Sequence, residues 1–201
     1  MAKETMSPRD RLLATAGALF RRYGYQAVGI DRILAESGVA KMTMYRYFAS
    51  KDELIAAYLE RADAEFWSWA NGAMEKAPTP GGKLLVLFEA ADDLASSPEC
   101  LGCVFQGAAM AFPEVEHPGR RIAVRHKLAV RDRLTALARE AKLRHPAALA
   151  AQLALLLDGA WIAARTFRRA DNPAGMVAQA AKTLIQKHAR PPSDRRPARR
   201  R

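Results

Sequence analysis

Seven side chains between positions 41 and 51 have the chemistry that binds a nucleic acid. Ammonium, guanidinium and phenol groups donate hydrogen bonds to phosphate oxygens, and an ammonium group can also donate to guanine O6 or N7. The methyl groups of methionine and threonine can contact the methyl group of thymine. These residue types occur together as Lys41, Met42, Thr43, Tyr45, Arg46, Tyr47 and Lys51. Their concentration in one short stretch favours a DNA-binding segment.

The elements that must position these side chains are two short helices joined by a glycine turn. Apolar residues recur at helical spacing from Ile30 to Leu34, and the pattern ends at Gly38, which can take the positive φ that ends a helix. Met44 and Phe48 then have the i, i+4 spacing of a buried face. A helix-turn-helix presents polar and basic side chains to a DNA major groove in this way.

A resemblance to a known family rests on this stretch. The run Tyr45-Arg-Tyr-Phe48, followed by Ser50-Lys-Asp-Glu-Leu54, resembles the signature of tetracycline-repressor (TetR) family regulators. The resemblance covers about Ser7 to Leu59. It implies a helix-turn-helix head followed by an all-helical body that binds a ligand and dimerises.

Roles in the second helix follow from its chemistry and from this resemblance. Lys41, Met42 and Thr43 lie at its N-terminal end, the part that reaches base edges when such a helix docks. The resemblance assigns Tyr45, Tyr47 and Lys51 to backbone phosphates, whereas Arg46 fits either a base contact or a solvated side chain. The family often has His at the position of Tyr47 and Gly or Pro at that of Met42.

A first helix completes the predicted head. Ser7 is the expected N-cap, Pro8 fits the first turn, and Gly24 ends the helix. The predicted DNA-binding domain covers residues 1–51. The buried stripe of the first helix is expected to consist of Leu12, Ala16, Leu19, Phe20 and Tyr23.

The charge distribution favours a polyanion as partner of the head. The chain of 201 residues has a formal net charge of +11, of which residues 1–51 contribute +5, residues 52–189 contribute +1 and residues 190–201 contribute +5. Nucleic acid is the partner that this asymmetry favours. The last segment is predicted to be a disordered basic tail that either adds nonspecific DNA affinity or is only solvated.

Residues 52–189 are predicted to form an all-α body, with about nine helices in the whole chain. Ser50 and Glu53 form a capping box at the start of a long helix from Lys51 to about Lys76. Residues 77–82 are expected to break that helix. Further helices are expected over about 83–97, 101–112, 118–141, 146–169 and 173–188.

Two sets of body residues are functional candidates. Bulky apolar side chains supply either ordinary core packing or the wall of an apolar pocket, and the family resemblance implies a pocket for a small inducer lined by Phe66, Trp69, Phe88, Phe105, Met110, Phe112 and Trp161. Dimerisation is predicted through the last two helices, with Leu153, Leu156, Gly159, Ala160, Val177, Ala181 and Leu184 at the interface. The chain is thus expected to be a homodimeric repressor that an apolar inducer releases from a palindromic operator.

Cys100 and Cys103 form a C-x-x-C pair with three interpretations. They fit two small buried residues near a helix start, a redox-sensing disulfide in a DNA-binding regulator that needs no ligand, or the centre of a small thiol oxidoreductase. A zinc site would need a second pair, so neither a metal nor another cofactor is predicted. No catalytic motif occurs, and an enzyme is therefore not expected. His126 is predicted to be a partly buried, satisfied histidine.

The longest apolar stretch, residues 147–164, is predicted to be a buried helix of a soluble protein. It is interrupted by Gln152, Asp158 and Gly159, and a charged residue near the centre of a membrane span is costly. Residues 1–10 have no apolar run of the kind that a secretory signal contains. The expected location is therefore cytoplasmic, without a membrane partner.

Overall fold

The computed structural model describes residues 6–167 and 171–189, and this part of the chain is helical without strands. The all-α fold class predicted from the sequence is confirmed, and residues 190–201, the predicted tail, lie outside the described part. A 3₁₀ turn, Pro173–Met176, precedes the last α-helix. The α-helices are α1 (Pro8–Tyr23), α2 (Ile30–Ser37), α3 (Lys41–Tyr47), α4 (Lys51–Met74), α5 (Pro80–Ala95), α6 (Val104–Ala111), α7 (Pro118–Glu140), α8 (Pro146–Thr166) and α9 (Val177–His188).

The described residues form two compact units. The first unit comprises the residues up to Asn71 together with Glu99–Ala129, and the second comprises Gly72–Pro98 together with the residues from Val130 onward. Helices α4 and α7 contribute to both units. Helix α6 therefore belongs to the same unit as α1, α2 and α3. The functional boundary at residue 51 stays a prediction.

Helix α1 begins and ends where the sequence predicts. The Ser7 side chain accepts a hydrogen bond from the Asp10 N–H at 3.1 Å, and Gly24 ends the helix at φ 85°. Leu12, Ala16, Leu19 and Phe20 are buried as expected. The prediction for Tyr23 is wrong, because its side chain is 41% exposed and the buried position is taken by Tyr25.

A glycine in α1 makes room for a tyrosine of α4. A Cβ atom on Gly17 would lie 2.6 Å from Cε2 of Tyr58, far inside van der Waals contact. The Tyr58 ring also lies near Phe20, with 5.8 Å between ring centroids. Burial raises the pKa of the Tyr58 phenol. The close approach of α1 to α4 within the first unit thus depends on a residue without a side chain.

In the second unit, α5, α8 and α9 pack against one another. Helix α5 begins three residues earlier than predicted, because Thr79 acts as its N-cap and accepts the Gly82 N–H at 3.1 Å. Pro80 occupies the first turn, where its missing N–H costs nothing. The fully buried side chains of this unit include Leu84, Phe88, Leu134, Leu137, Leu149 and Leu153.

Polar side chains in the second unit mostly close helix ends. Asp92 accepts the Ala178 N–H at 3.2 Å in the first turn of α9. Asn172 accepts the Ala174 N–H and donates to the Ala95 carbonyl, both at 3.0 Å. These bonds satisfy backbone groups that helix termini leave unpaired.

Helix α8 is long and apolar enough to cross a membrane by length and composition alone, with a mean hydropathy of 1.6. Core helices of soluble proteins meet the same criteria. Leu149, Leu153 and Leu157 of α8 are buried within the second unit, and 39% of the apolar window is buried in all.

Candidate DNA-binding site

The predicted helix-turn-helix is formed by α2 and α3. Gly38 adopts the left-handed conformation at φ 63°, and its N–H donates to the Leu34 carbonyl at 3.0 Å. The Ser37 hydroxyl accepts the Val39 N–H at 3.3 Å, and the Val39 side chain is buried. The turn is therefore held by backbone geometry, one hydroxyl and one apolar contact.

Helix α3 has one buried side and one exposed side. Met44 and Phe48 are buried in the core of the first unit, as their spacing predicts. Met42 is 77% exposed, Lys41 and Arg46 are exposed, and Thr43 is half-buried. The candidate base-reading residues thus lie on the side of α3 that the protein leaves open.

The candidate phosphate-binding residues flank this exposed side. The Tyr45 and Tyr47 side chains are exposed, and Lys51 is half-buried at the start of α4. Burial lowers the pKa of the Lys51 ammonium group. A phosphate anion beside Lys51 would favour the charged ammonium form.

The start of α4 is capped almost as predicted. Ser50 accepts the Glu53 N–H at 3.1 Å. The Glu53 carboxylate accepts the Ala49 N–H at 2.7 Å, one residue before the predicted partner. The segment between α3 and α4 is therefore fixed by two reciprocal hydrogen bonds, which orient Lys51 relative to α3.

Two guanidinium groups lie beside an exposed tyrosine ring at the end of α1. The Arg32 guanidinium lies 4.1 Å from the centroid of the exposed Tyr23 ring and also pairs with Glu36 at 2.9 Å. Arg22 lies 5.3 Å from the same ring. A tyrosine flanked by two guanidinium groups explains why Tyr23 stays at the surface.

Two residues of the α1–α2 turn bind both ends of α6, a link that the sequence analysis did not find. The Tyr25 hydroxyl donates to the Val104 carbonyl, and the Gln26 amide donates to the Ala111 carbonyl, both at 3.0 Å. Burial raises the pKa of Tyr25, so this phenol stays protonated and donating. A local sequence pattern could not predict these bonds, because donor and acceptor are 79 and 85 residues apart in the sequence.

A second link joins α4 to the start of α7. The His117 Nδ1 accepts the Gly119 N–H at 3.1 Å, so the proton of the neutral ring lies on Nε2. That atom lies 3.5 Å from an Asp52 carboxylate oxygen. The His117 ring also stacks on Phe112, with 3.7 Å between centroids. The loop before α7 is thereby connected to the first turn of α4.

The predicted pocket residues of the first unit divide into three groups. Phe66, Trp69 and Phe105 belong to an aromatic cluster described below. Phe112 does not, since it is buried against Tyr25 in the core next to the head, with ring centroids 5.7 Å apart. Met110 is 79% exposed, and its assignment to a pocket wall stays a prediction that packing does not support.

The aromatic cluster surrounds a buried histidine. Phe105 stacks on His126 with 3.6 Å between centroids, and Phe66 meets the same ring edge-on at 4.7 Å. His126 Nδ1 lies 2.6 Å from an Asp63 carboxylate oxygen. The prediction of a buried, satisfied histidine is confirmed, and its carboxylate partner is new. The buried ring thus has both aromatic neighbours and a carboxylate partner.

The remaining pocket candidates belong to the second unit. Phe88 is fully buried there, and Trp161 is also buried. Phe88 packs in the core around α5, which leaves its ring without an accessible surface. The structure thus shows Phe88 in core packing, and its role as a ligand contact stays a prediction.

Most of the side chains predicted at the dimer interface are buried or half-buried within the single protomer. Leu153, Ala160, Val177 and Ala181 are buried within the second unit, and their part in a dimer interface stays a prediction. Leu156 and Leu184 are half-buried, and Gly159 is exposed. The exposed stripe of α8 instead includes Leu155, at 72% exposed, and Ile162, at 45% exposed.

Cys100 and Cys103 are unbridged and half-buried. Within residues 6–167 and 171–189, no group of three or more His, Cys, Asp or Glu side chains is placed to hold a metal ion. Within the described part of the chain, the cysteine pair therefore does not belong to a group of potential metal ligands.

The fold and the exposed face of α3 define a helix-turn-helix protein, and comparisons with known proteins agree. A profile of "Bacterial regulatory proteins, tetR family" matches residues 12–58. The HTH-type transcriptional activator FasR of Mycolicibacterium smegmatis is 43% identical over 53 residues, which are 26% of this chain and 24% of FasR. The repressor SCO4008 of Streptomyces coelicolor is 37% identical over 60 residues, 30% of this chain and 31% of that protein. The matched segment thus spans a third or less of these curated relatives.

Solved structures match over nearly the whole chain. SCO4454, a TetR-family transcriptional regulator from Streptomyces coelicolor, superposes with a TM-score of 0.85 and 30% identity over 91% of this chain and 96% of that one. A TetR-type regulator from Streptomyces avermitilis gives a TM-score of 0.81 and 32% identity over 91% and 98%. The chain belongs to the TetR family of transcriptional regulators. It is a DNA-binding regulator rather than an enzyme, and the thiol oxidoreductase alternative is set aside.

Proposed function

We propose that the protein is a homodimeric repressor that binds a palindromic operator through α3 and is released by an aromatic small molecule. The division of α3 into a buried side, Met44 and Phe48, and an exposed side with Lys41, Met42 and Arg46 supports operator binding most directly. The N-terminal part of a recognition helix reaches base edges, and its flanks contact phosphates.

Operator binding is tested by gel shift with the promoter next to the gene. Lys51→Ala and Tyr45→Ala should weaken binding to all sequences and reduce its salt dependence, because both side chains are assigned to phosphate. Lys41→Ala should instead relax the preference for one G·C pair, with a loss of about 1–3 kcal/mol there. Lys76→Ala, which removes the same charge at an exposed site in the second unit, is the control. If Lys41→Ala leaves the ranking of operator variants unchanged, the base-reading assignment is wrong.

The exposed stripe of α8 supports a dimer. Leu155, Gly159 and Ile162 follow one another at helical spacing on a side that the protomer does not cover. A Cβ atom on Gly159 would have no neighbour within 4 Å, so this position has room for a second chain. The half-buried Leu156 and Leu184 lie in the same unit. We assign the interface to this stripe, in place of the buried residues of α8 and α9.

Light scattering at micromolar concentration tests the dimer. Leu155→Glu should give monomers that bind a palindrome poorly, since two recognition helices must engage successive half-sites. Met110→Glu changes an equally exposed apolar residue of the first unit and should leave the dimer intact. A monomeric wild-type protein would contradict the proposal.

The aromatic cluster around His126 supports an inducer site within the first unit. Phe66 and Trp69 are half-buried and thus partly accessible, and Phe105 is a residue of α6. A ligand that separates Phe105 from His126 would displace α6. Because Tyr25 and Gln26 bind the two ends of α6, the displacement would reach the α1–α2 turn.

Release follows from linkage between the inducer and the operator. A ligand shifts an equilibrium only by preferring one of its states. A preference of about 3 kcal/mol for the state that binds DNA poorly lowers operator affinity more than a hundredfold. Helix α4, which follows the head directly, is the second element that would carry the change.

Reciprocity provides the test of release. A ligand found by thermal-shift screening of phenols and aromatic acids is titrated with and without operator, using Trp67 and Trp69 fluorescence. The operator should weaken ligand binding by the factor by which the ligand weakens operator binding. Equal ligand affinity in both titrations would refute release and leave DNA binding intact.

Activation is the second candidate. The relatives named above include one activator and one repressor, so similarity favours neither sign. Transcription from the bound promoter in vitro distinguishes them, because a repressor lowers transcript yield and an activator raises it. Either activity places the protein with the DNA in the cytoplasm.

A further inference from the structure

A dithiol lies where α6 begins. Cys100 and Cys103 are the two cysteines of the chain, and neither is bridged. Gly102 lies between them at φ 79°, a conformation that glycine adopts without strain. Cys103 is the N-cap residue of α6, and its side chain makes no capping hydrogen bond. The Cys103 sulfur atom therefore does not cap the N-terminus of α6.

Cys103 is seated against the head. Its side chain packs on the buried core of the first unit, which includes Tyr25 and Tyr58. The next residue, Val104, offers the carbonyl to which Tyr25 donates at 3.0 Å. The sulfur and the link between α6 and the head are thus adjacent along the chain.

We propose that Cys100 and Cys103 are a redox-modification site, at which a hydroperoxide produces an intrachain disulfide that changes DNA binding. The Cys103 sulfur attacks the hydroperoxide, the O–O bond breaks, and a sulfenic acid and an alcohol form. The Cys100 thiol then attacks the Cys103 sulfur, the S–S bond forms, and water leaves. Two thiols are oxidised, and one hydroperoxide is reduced to alcohol and water.

Disulfide formation affects the head because it changes the position of the Cys103 sulfur atom. Bonded sulfurs lie about 2 Å apart, with Cβ atoms about 4 Å apart. Closing this bond changes the position of the Cys103 side chain, which packs on the core that includes Tyr25 and Tyr58. The change lies next to Val104, whose carbonyl accepts the Tyr25 hydrogen bond. Disulfide formation needs no inducer, so a hydroperoxide would be a second signal to the proposed regulator.

The experiment uses the full chain, treated with cumene hydroperoxide, and follows thiols and DNA binding together. Maleimide labelling and mass spectrometry should show both thiols lost together within one chain. Operator affinity in gel shift should change by roughly fivefold or more, the lower end of typical coupling, and return after dithiothreitol. Cys100→Ser and Cys103→Ser should each abolish the intrachain disulfide. Tyr25→Phe should form the disulfide normally, with a smaller change in affinity.

Three results would overturn the inference. They are two thiols that still react after peroxide, a disulfide between chains on a non-reducing gel, and an unchanged operator affinity after complete disulfide formation. Failure of the reduced protein to bind the operator would instead refute the proposed repressor, while the thiol count would still decide whether the site is modified.

Discussion

The two compact units of this chain differ in the polar contacts that accompany their apolar cores. In the first unit, buried side chains of the core make such contacts, since Tyr25 donates to the Val104 carbonyl and His126 lies against Asp63. In the second unit, polar side chains such as Asp92 and Asn172 close helix ends.

This difference affects what a substitution costs. A hydrogen bond contributes roughly 0.5–1.5 kcal/mol to stability, but removing one partner inside a core leaves a buried donor or acceptor unpaired, which costs about 1–3 kcal/mol. The close-packed apolar core of either unit loses stability when a substitution introduces a cavity or an overlap.

The largest predicted effect is on the core of the second unit. Phe88→Ala should lower the free energy of unfolding by about 3–5 kcal/mol, since a fully buried ring is lost and a cavity remains. Urea titration measures this change in the free energy of unfolding. Phe167→Ala, the same change at an exposed residue of that unit, should cost far less. Equal losses would mean that Phe88 is not a core residue.

The next effect tests the close packing of the first unit. Gly17→Ala should destabilise the protein by roughly 1–3 kcal/mol, because the new methyl group overlaps the Tyr58 ring. Gly72→Ala places the same methyl group in α4 with nothing within 4 Å. It should stabilise by about 0.5–1 kcal/mol through helix propensity. Two changes of the same sign would contradict the structure.

The polar contacts of the first unit can be compared directly along α4. Asp63→Asn should cost roughly 1–3 kcal/mol, because it weakens the partner of the buried His126. Glu60→Gln removes a carboxylate that pairs with Arg125 in solvent, which should change stability by less than about 1 kcal/mol. Thermal unfolding of the two variants gives the comparison, and a reversed order would refute the importance of burial.

The smallest effect is a pH dependence confined to the first unit. Burial raises the pKa of Tyr25 and Tyr58, so the folded state holds these protons more tightly than the unfolded state. Stability from this source is complete below the ordinary tyrosine pKa of 10.0 and falls as pH rises above it. Tyr58→Phe should flatten the decline in unfolding free energy measured between pH 9 and 11. An unchanged slope would exclude Tyr58 as a contributor.

The sequence predicted the helix-turn-helix closely. The glycine at position 38, the buried pair Met44 and Phe48, and the cap at Ser7 act within a few residues of where they stand. Such local signals do not depend on distant neighbours. The exposed side chains of α3 could be named for the same reason.

The partners of the helices were decided only by the tertiary structure. Helical periodicity shows that a face is apolar, and it does not show which other face covers it. Helical spacing favoured burial of Tyr23, yet Tyr25 is the buried tyrosine, and its hydroxyl donates to the Val104 carbonyl, 79 residues away. Phe112 likewise packs against Tyr25, and Leu153 is buried within the second unit. Local chemistry determined the exposed side of α3, and packing between distant segments determined which elements cover the buried sides of the helices.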